Sequence, residues 1–410
     1  MKNKNWYPVD NVSFLYAVLK NKKRQNVFRF SCEIKDNIDK DYLQIALRET
    51  LKVYPKYHIN LKTGAFGFYY ETSDMDPLVV EETQPICHKL FYNDKDLLYE
   101  VSYYNNRINL EVSHILSDAQ EAKEFFRLLV NNYIKYYYDE KYTIVDNSAI
   151  QLEHVSNNIV QTNNNITALA NNYKNVYKYP VKKYLSKTRF YEVHTNLDQM
   201  IGLTEKYGVD LPTFLVSLMI FSILAELKIK DTNKRIKIEL PIDLRTFSEA
   251  NDSQNCFDIF YVDFNPAGNK LDFPSIIATV SEQLKAKAKD DSGEVRNHIN
   301  VSFQKFISAK YRPLFIKKVG MSVIYKNVSR RRTAIYSNVG TLIFDDNVEA
   351  YIKNVSLLSS TSDMRFTLIS NKNDLCIGIS SVYKYNNVIA NFIRLLRNAE
   401  LEMYINTEVI

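Results

Sequence analysis

The chain has 410 residues, of which 46% are hydrophobic and 24% are charged. This composition is ordinary for a folded protein and excludes wholesale disorder, while the length predicts two core-forming units. The net charge of +6 is mild, and no recognisable nucleic-acid-binding module accompanies it, so we expect no nucleic-acid partner.

The cysteines, the N-terminus and the apolar runs bear on the compartment. The cysteines form no CxxC pair and lie in apolar contexts, which predicts buried free thiols in a reducing compartment and no metal site. They are Cys32, Cys87, Cys256 and Cys376. The first residues lack the apolar core of a signal peptide, and the longest charge-free apolar run, 211–225, is too short for a membrane span. We therefore expect a cytoplasmic protein without a membrane span.

Hydrophobic periodicity predicts strands and helices in the first 155 residues. Alternating apolar residues indicate strands, and stripes at helical spacing indicate helices. The predicted strands cover 27–34, 97–104 and 107–114, and the predicted helices cover 39–54 and 117–138. The pair Asn105-Asn106 between the last two strands is typical of a two-residue hairpin turn.

An asparagine-rich stretch separates this part from the rest of the chain. Its composition predicts a linker over 156–181 between an N-terminal unit, 1–155, and a C-terminal unit, 182–410. The C-terminal unit mixes predicted strands and helices. Strands are expected over 188–197, 235–240 and 257–264, and helices over 198–208, 212–227 and 388–404 with three more between 273 and 327. Without a regular βαβ repeat, this order favours an α+β fold.

A short internal similarity hints that the two units share a fold. Residues 109–114 align with 376–381, and 125–129 then fall on 392–396 without a gap. Both segments are predicted to run from a strand through a short loop into an amphipathic helix. In this alignment Ser381 replaces His114, so only the first copy carries a histidine.

His114 and Asp118 form the sharpest candidate for chemistry. Strand alternation places His114 on the inward face of Leu110 and Val112, at the end of the strand. An imidazole at the edge of an apolar surface is suited to act as a general base. The alternative interpretation is a strand-end histidine followed by a helix N-cap, which most HxxxD patterns represent.

A second HxxxD pattern in the chain shows that the spacing alone is uninformative. It begins at His194 and ends at Asp198. Here the alternation predicts that His194 faces solvent, opposite the apolar side of its strand, and that Asp198 caps the next helix. The two patterns therefore differ only in the face of the strand on which the histidine lies and in the neighbouring sequence.

Three segments resemble one family over nearly the whole chain and in the same order. Residues 108–118, followed by a long aromatic helix, resemble the HxxxD motif of the chloramphenicol acetyltransferase superfamily, which includes condensation domains and bacterial alcohol acetyltransferases. The segment 241–245, ending in Arg245, looks like the PVDLR segment of the bacterial members. Residues 336–340, which include Ser337 and Asn338, resemble their SNxG strand.

The resemblance implies two acetyltransferase-like subdomains that form a pseudo-dimer with a tunnel between them. It implies an acyltransferase in which His114 is the general base and Asp118, paired with Arg245, supports the site. Ser337 and Asn338 would line the tunnel, and Asn338 would contact the oxyanion. The donor would be an acyl-CoA or an acyl-phosphopantetheine on an acyl carrier protein, used as a co-substrate, and the acceptor a small alcohol or amine.

The cluster Arg330, Arg331 and Arg332 lies just before the SNxG-like strand. Its ordinary interpretation is a solvated surface. Its functional interpretation is a contact for the phosphates of an acyl-CoA donor.

Two departures from the family pattern leave a second function open. Ser113 stands where a second histidine is usual, and Ala119 stands where glycine is usual. The alternative to an acyltransferase is therefore a catalytically degenerate module that binds a carrier protein or a partner enzyme.

Overall fold

The computed structural model describes residues 5–19, 26–91, 93–138, 175–180, 182–183, 188–243, 257–289 and 312–408. Arg245, Cys256 and most of the predicted linker, 156–174 and 181, lie outside the described residues. The predicted boundaries of the two units stay predictions.

Nine helices and fifteen strands occur in the described ranges. The helices are α1 (Asn11–Leu19), α2 (Lys40–Val53), α3 (Ala119–Tyr138), α4 (Leu197–Lys206), α5 (Leu211–Leu224), α6 (Phe273–Lys289), α7 (Leu314–Ser329), α8 (Asp346–Glu349) and α9 (Asn387–Asn398). The strands are β1 (Trp6–Pro8), β2 (Val27–Ile34), β3 (Ile59–Thr63), β4 (Phe68–Thr72), β5 (Val80–Glu81), β6 (Tyr99–Tyr104), β7 (Arg107–Ser113), β8 (Arg189–Asn196), β9 (Ile236–Asp243), β10 (Phe257–Phe264), β11 (Ala334–Thr341), β12 (Ile352–Ser359), β13 (Met364–Asn371), β14 (Asp374–Ser381) and β15 (Met403–Glu408). This mixture confirms the α+β prediction.

Two sheets of similar construction dominate the molecule. The first has five strands in the order β12-β2-β7-β6-β5, and the second has seven, in the order β10-β9-β11-β13-β14-β8-β15. The run β15-β8-β14-β13-β11 repeats the first sheet strand for strand, with the same three antiparallel pairs and the same final parallel pair. The strands β7 and β14 correspond, and a helix follows each, as the internal similarity predicts.

Local sequence explains the elements that hold His114. Asn105 adopts a φ of 49°, which asparagine tolerates, and so permits the tight turn between β6 and β7. The Asp39 side chain accepts hydrogen bonds from two N–H groups in the first turn of α2. In α3 the buried aromatic stripe packs on the first sheet, where the Phe126 ring lies 5.7 Å from that of Phe30. His114 therefore follows a central strand that is paired on both sides.

The strand β12 joins the two sheets. It belongs to the second half of the chain, yet it pairs with β2 at the edge of the first sheet and crosses β13 and β14 of the second sheet. The crossing is close because Gly378 has no side chain there. The hydroxyl of Thr367 donates a hydrogen bond to the Leu357 carbonyl at 2.5 Å.

The C-terminal segment differs from its prediction. The helix α9 ends at Asn398, and Met403–Glu408 form a strand that pairs with β8, whereas a helix was expected over 388–404. Among the described residues, no single helix is long and apolar enough to span a membrane. Only α4 and α5 together pass that test, as a pair bent by 77°, and α5 is buried in the second core.

Candidate active site

His114 lies immediately after β7, in the turn that leads into α3. Its backbone N–H donates a hydrogen bond to the Asn26 carbonyl at 2.8 Å, which ties the turn to the start of β2. The Ser113 carbonyl accepts the Leu116 N–H at 2.8 Å and closes the turn. The His114 side chain is half-buried.

Two aromatic rings pack on the His114 imidazole. The Tyr16 ring from α1 stacks on it with centroids 4.9 Å apart and an interplanar angle of 17°. The Phe28 ring from β2 approaches to 4.6 Å at an angle of 47°. Neither contact follows from the local sequence, because only the tertiary fold brings α1 and β2 against this turn.

The surroundings of His114 favour its neutral form. Burial, and secondarily the positive charge of Arg365, lower the pKa of His114 to about 3. Burial also raises the pKa of the Tyr16 phenol to about 12. At neutral pH the imidazole is therefore unprotonated and can accept a proton, while the phenol keeps its own.

Asp118 is buried and forms the cap of α3. Its carboxylate accepts the Glu121 N–H at 3.0 Å, and its carbonyl accepts the Ala122 N–H at 3.1 Å. Asp118 is therefore a helix N-cap, as in the alternative interpretation of the HxxxD pattern. The pairing of Asp118 with Arg245 stays a prediction, because Arg245 lies outside the described residues.

The start of α3 contacts the end of β11 from the second half. The Gln120 amide donates to the Val339 carbonyl at 3.3 Å, and the Lys123 ammonium donates to the same oxygen at 3.2 Å. The helix that follows His114 therefore meets the SNxG-like segment.

Ser337 and Asn338 lie on opposite faces of β11. Ser337 is half-buried and shares its face with Ile335 and Val339, and Val339 packs into the first core. Asn338 is exposed, and its side-chain oxygen accepts the Gly340 N–H at 2.8 Å. The geometry thus brings Ser337 to the side of the first half and leaves Asn338 away from it.

The arginine cluster divides by exposure. Arg330 is exposed and Arg331 is half-buried, whereas Arg332 is buried. The Arg332 Nη1 atom lies 2.8 Å from both carboxylate oxygens of Glu239. The prediction that Arg332 contacts the phosphates of a donor is wrong, because its guanidinium is buried and already paired with Glu239.

Both predictions for the second HxxxD pattern, which runs from His194 to Asp198, are wrong. The His194 side chain is fully buried, contrary to the prediction that it faces solvent. Its Nδ1 atom lies 3.0 Å from the Asp374 carboxylate, and the Tyr404 ring of β15 stacks on it at 4.6 Å. Asn196, rather than Asp198, caps α4 by accepting the Gln199 N–H at 3.0 Å.

Solved structures share this architecture over nearly their whole lengths. Polyketide synthase associated protein 5 from Mycobacterium tuberculosis matches with a TM-score of 0.63 at 10% identity, covering 95% of this chain and 97% of that one. Trichothecene 15-O-acetyltransferase from Fusarium sporotrichioides gives 0.62 at 9%, covering 97% and 94%. The first condensation domain of the calcium-dependent antibiotic synthetase gives 0.62 at 12%, covering 96% of each chain.

The chain has the chloramphenicol acetyltransferase-like fold. The fold predicted from the three motif segments is confirmed, and the bacterial alcohol acetyltransferase or condensation-domain branch stays a prediction. The sequence matches no family model and no curated protein significantly. At identities of 9–12% the solved structures show the fold alone.

Proposed function

We propose that this protein is an acyltransferase that moves an acyl group from a thioester donor to a hydroxyl or amine, with His114 as general base. The observation that carries the proposal is the place of the His114 imidazole at the end of a central strand, where burial and the charge of Arg365 from the second half lower its pKa and favour the neutral form. An acetyltransferase with the same fold supports it. General-base catalysis typically contributes ~10²–10⁴-fold to a rate.

The proposed reaction uses the imidazole twice. The His114 nitrogen takes the proton of the acceptor hydroxyl while the acceptor oxygen bonds to the thioester carbonyl carbon. The tetrahedral intermediate then collapses, the carbon–sulfur bond breaks, and the imidazolium returns the proton to the departing thiolate. Because Arg365 and burial both disfavour the imidazolium, the negative charge on the intermediate must offset them in the transition state.

Other residues have supporting roles in this proposal. Asp118 fixes the start of α3 and, through Arg245, would join the two halves. Ser337 would line the passage to the reacting carbonyl. The exposed Arg330 and its half-buried neighbour Arg331 would contact the phosphates if the donor is acyl-CoA rather than a carrier-bound phosphopantetheine.

The test is thiol release from acyl-CoA across a panel of alcohols and amines, with purified variants. His114→Ala should lose about 10²–10⁴-fold in kcat/KM and remain folded. His194→Gln is the matched control, since it removes the histidine of the other HxxxD pattern and should retain the acyl-transfer rate. Normal turnover by His114→Ala would rule out the proposed mechanism.

A binding module without catalysis is the second candidate function. The packing of Tyr16 and Phe28 against the imidazole favours it, because both rings restrict the approach of a substrate. Ala119 in place of the usual glycine would add a methyl group that narrows the space beside the imidazole or alters the turn. Stable binding of an acyl carrier protein, together with no acyl transfer from acyl-CoA or from that carrier, would favour the module over the enzyme.

A further inference from the structure

Arg365 stands out among the residues between the two sheets. It lies in β13 between Met364 and Phe366, whose side chains belong to the second core. Strand alternation therefore directs Arg365 to the opposite face, together with Thr367, toward β12. The residue is half-buried, so one part of it stays accessible.

Within the described part of the chain, no carboxylate pairs with the guanidinium of Arg365, unlike those of three other interior arginines. Among the described residues, its Nη1 atom donates to the Ser359 hydroxyl at 3.1 Å, while its Nε atom is buried without a hydrogen bond. By contrast, Arg29 lies 2.6 Å from Glu82. Arg107 and Arg332 are paired in the same way, with Glu192 and Glu239 respectively.

An incompletely paired cation between two sheets is unfavourable in the free protein. Removal of a charge from water costs several kcal/mol unless an opposite charge or hydrogen bonds offset it. Glu239 contributes a favourable electrostatic interaction with Arg365, but its two oxygens are already bound by Arg332. Among the groups that the structure describes, the charge of Arg365 therefore has no carboxylate of its own.

Arg365 is also close to the candidate base. Its charge is one of the two causes of the lowered pKa of His114. Ser359, which accepts its hydrogen bond, is the ladder partner of Phe28, and the Phe28 ring lies 4.6 Å from the imidazole. A ligand group at Arg365 would consequently lie near the reacting atoms of a substrate.

We propose that Arg365 binds a carboxylate carried by a substrate at its reacting end, so that this chain transfers acyl groups to or from carboxylate-bearing molecules. A monoanion matches the single unpaired charge, and the planar guanidinium is suited to a carboxylate. The carboxylate has two possible sources, the acceptor and the acyl group. This inference rests on the proposed acyltransferase function and adds a substrate class to it.

The experiment compares matched charged and neutral substrates. In the acceptor arm, hydroxy acids and amino acids are tested against their amides with acetyl-CoA. In the donor arm, succinyl-CoA is tested against butyryl-CoA with neutral alcohols and amines. In one arm wild type should prefer the anion, and Arg365→Gln should reduce that preference about 10- to 100-fold, as for a lost hydrogen bond to a charged group.

Two further variants sharpen the result. Arg365→Lys keeps the charge without the planar fork and should restore part of the preference. Arg394→Gln removes an equal charge from the exposed face of α9 and should leave the preference unchanged. If Arg365→Gln lowers rates equally for charged and neutral substrates in both arms, or changes neither, the carboxylate site is wrong.

Melting temperatures and ligand-binding measurements test the carboxylate site even if no acyl transfer is found. Arg365→Gln should melt no lower than wild type because it removes an unpaired charge, whereas Arg332→Gln should melt lower because it strands Glu239. Calorimetric titration with the same hydroxy acids and with monomethyl succinate should show binding that Arg365→Gln weakens about tenfold or more. A lowered melting temperature for Arg365→Gln, or binding that is absent or unchanged, would overturn the site. Absent transfer with this binding intact would count against the proposed function alone.

Discussion

The surroundings of His114, which include two aromatic rings, determine how the reaction rate should depend on pH. Burial and the charge of Arg365 lower the pKa of His114 to about 3, so the base stays unprotonated as the pH falls from 8 to 5. We expect kcat/KM to show no loss from protonation of this residue over that interval. A histidine in water would instead lose activity near its ordinary pKa of about 6.5.

The measurement is the pH profile of kcat/KM for free-thiol release between pH 5 and 8.5, with unfolding monitored at each pH. An acidic limb with a midpoint near 6.5 that disappears in His114→Ala would contradict the lowered pKa of His114. Such a limb would mean that the imidazole is hydrated and faces solvent in the protein without substrate.

Asp118 allows the contribution of capping to be separated from that of charge. Asparagine caps helices about as well as aspartate, whereas alanine does not, and the loss of a cap costs about 1 kcal/mol. Asp118→Ala should therefore be less stable than Asp118→Asn by about 1 kcal/mol, because only the alanine variant loses the bond to the Glu121 N–H. Urea unfolding of the two variants measures this difference.

The comparison of Asp118→Asn with wild type then isolates the charge. A large loss of stability in this variant would support the pair with Arg245, since an unpaired buried cation costs about 3–5 kcal/mol. Equal stabilities of the asparagine and alanine variants would show that the cap contributes nothing measurable.

At the scale of elements, the closest constraint is the crossing of β12 over β14. A Cβ atom at Gly378 would overlap the Leu357 carbonyl oxygen and lie 2.6 Å from the Thr367 hydroxyl. The Leu357 oxygen belongs to the backbone, and the Thr367 hydroxyl is held by its hydrogen bond to that oxygen. Because neither atom can move aside alone, β12 and β14 must separate. Gly378→Ala should lose about 3 kcal/mol or more in the free energy of unfolding.

The matched control is Gly202→Ala in α4, where a Cβ atom meets nothing within 4 Å. Alanine is favoured over glycine in a helix by about 1 kcal/mol, so this variant should be slightly more stable than wild type. Denaturant titration of both variants gives the comparison. If Gly378→Ala unfolds at the wild-type midpoint, the two strands do not cross as closely as described.

The same elements show what the sequence could predict. The hairpin around Asn105 and the boundaries of β2 depend on local alternation and turn chemistry, and both were predicted correctly. The burial of His194 was missed because the segment that covers it was expected to be helical. As a strand, β15 adds to the edge of the sheet and places Tyr404 over that histidine.

Arg365 shows the same limit within the candidate site. A lone arginine among apolar residues of a strand is visible in the sequence, but its meaning depends on which carboxylates surround it. Those belong to segments distant in the chain, such as Glu239, and only the assembled sheets show that this one already pairs with Arg332. His114, in contrast, was found because its phase and its motif are local.

At the scale of the whole molecule, a buried ionic contact joins the corresponding sheets. Arg107 of β7 pairs with Glu192 of β8, and the Ser356 hydroxyl of β12 donates to Glu192 at 2.5 Å. Burial raises the pKa of Glu192, but the charge and hydrogen bonds of Arg107 and Ser356 outweigh it and lower this pKa below its ordinary value. The contact therefore connects both sheets through the strand that passes between them.

The sign of the resulting pH dependence follows from that lowered pKa. Ionised Glu192 stabilises the fold above the pKa it has in the unfolded chain, about 4.3, and this contribution is lost as the pH falls through the lower folded value. Arg107→Gln removes the cation and leaves the carboxylate buried, which should cost about 3–5 kcal/mol at pH 7. The variant should also lose less stability than wild type on acidification from pH 7 to pH 3, because protonation then relieves its unpaired charge.

The ion pair between Arg48 and Asp76 is an exposed counterpart of the buried pair. Arg48 lies 3.2 Å from Asp76, with both side chains more than half exposed, so Arg48→Gln should cost under about 1 kcal/mol. Chemical unfolding of both variants at pH 7, 5 and 3 separates the two cases. If both variants lose equally little free energy of unfolding at pH 7, the ionic contact contributes little to the packing of the two sheets. Apolar packing around β12 would then hold them together.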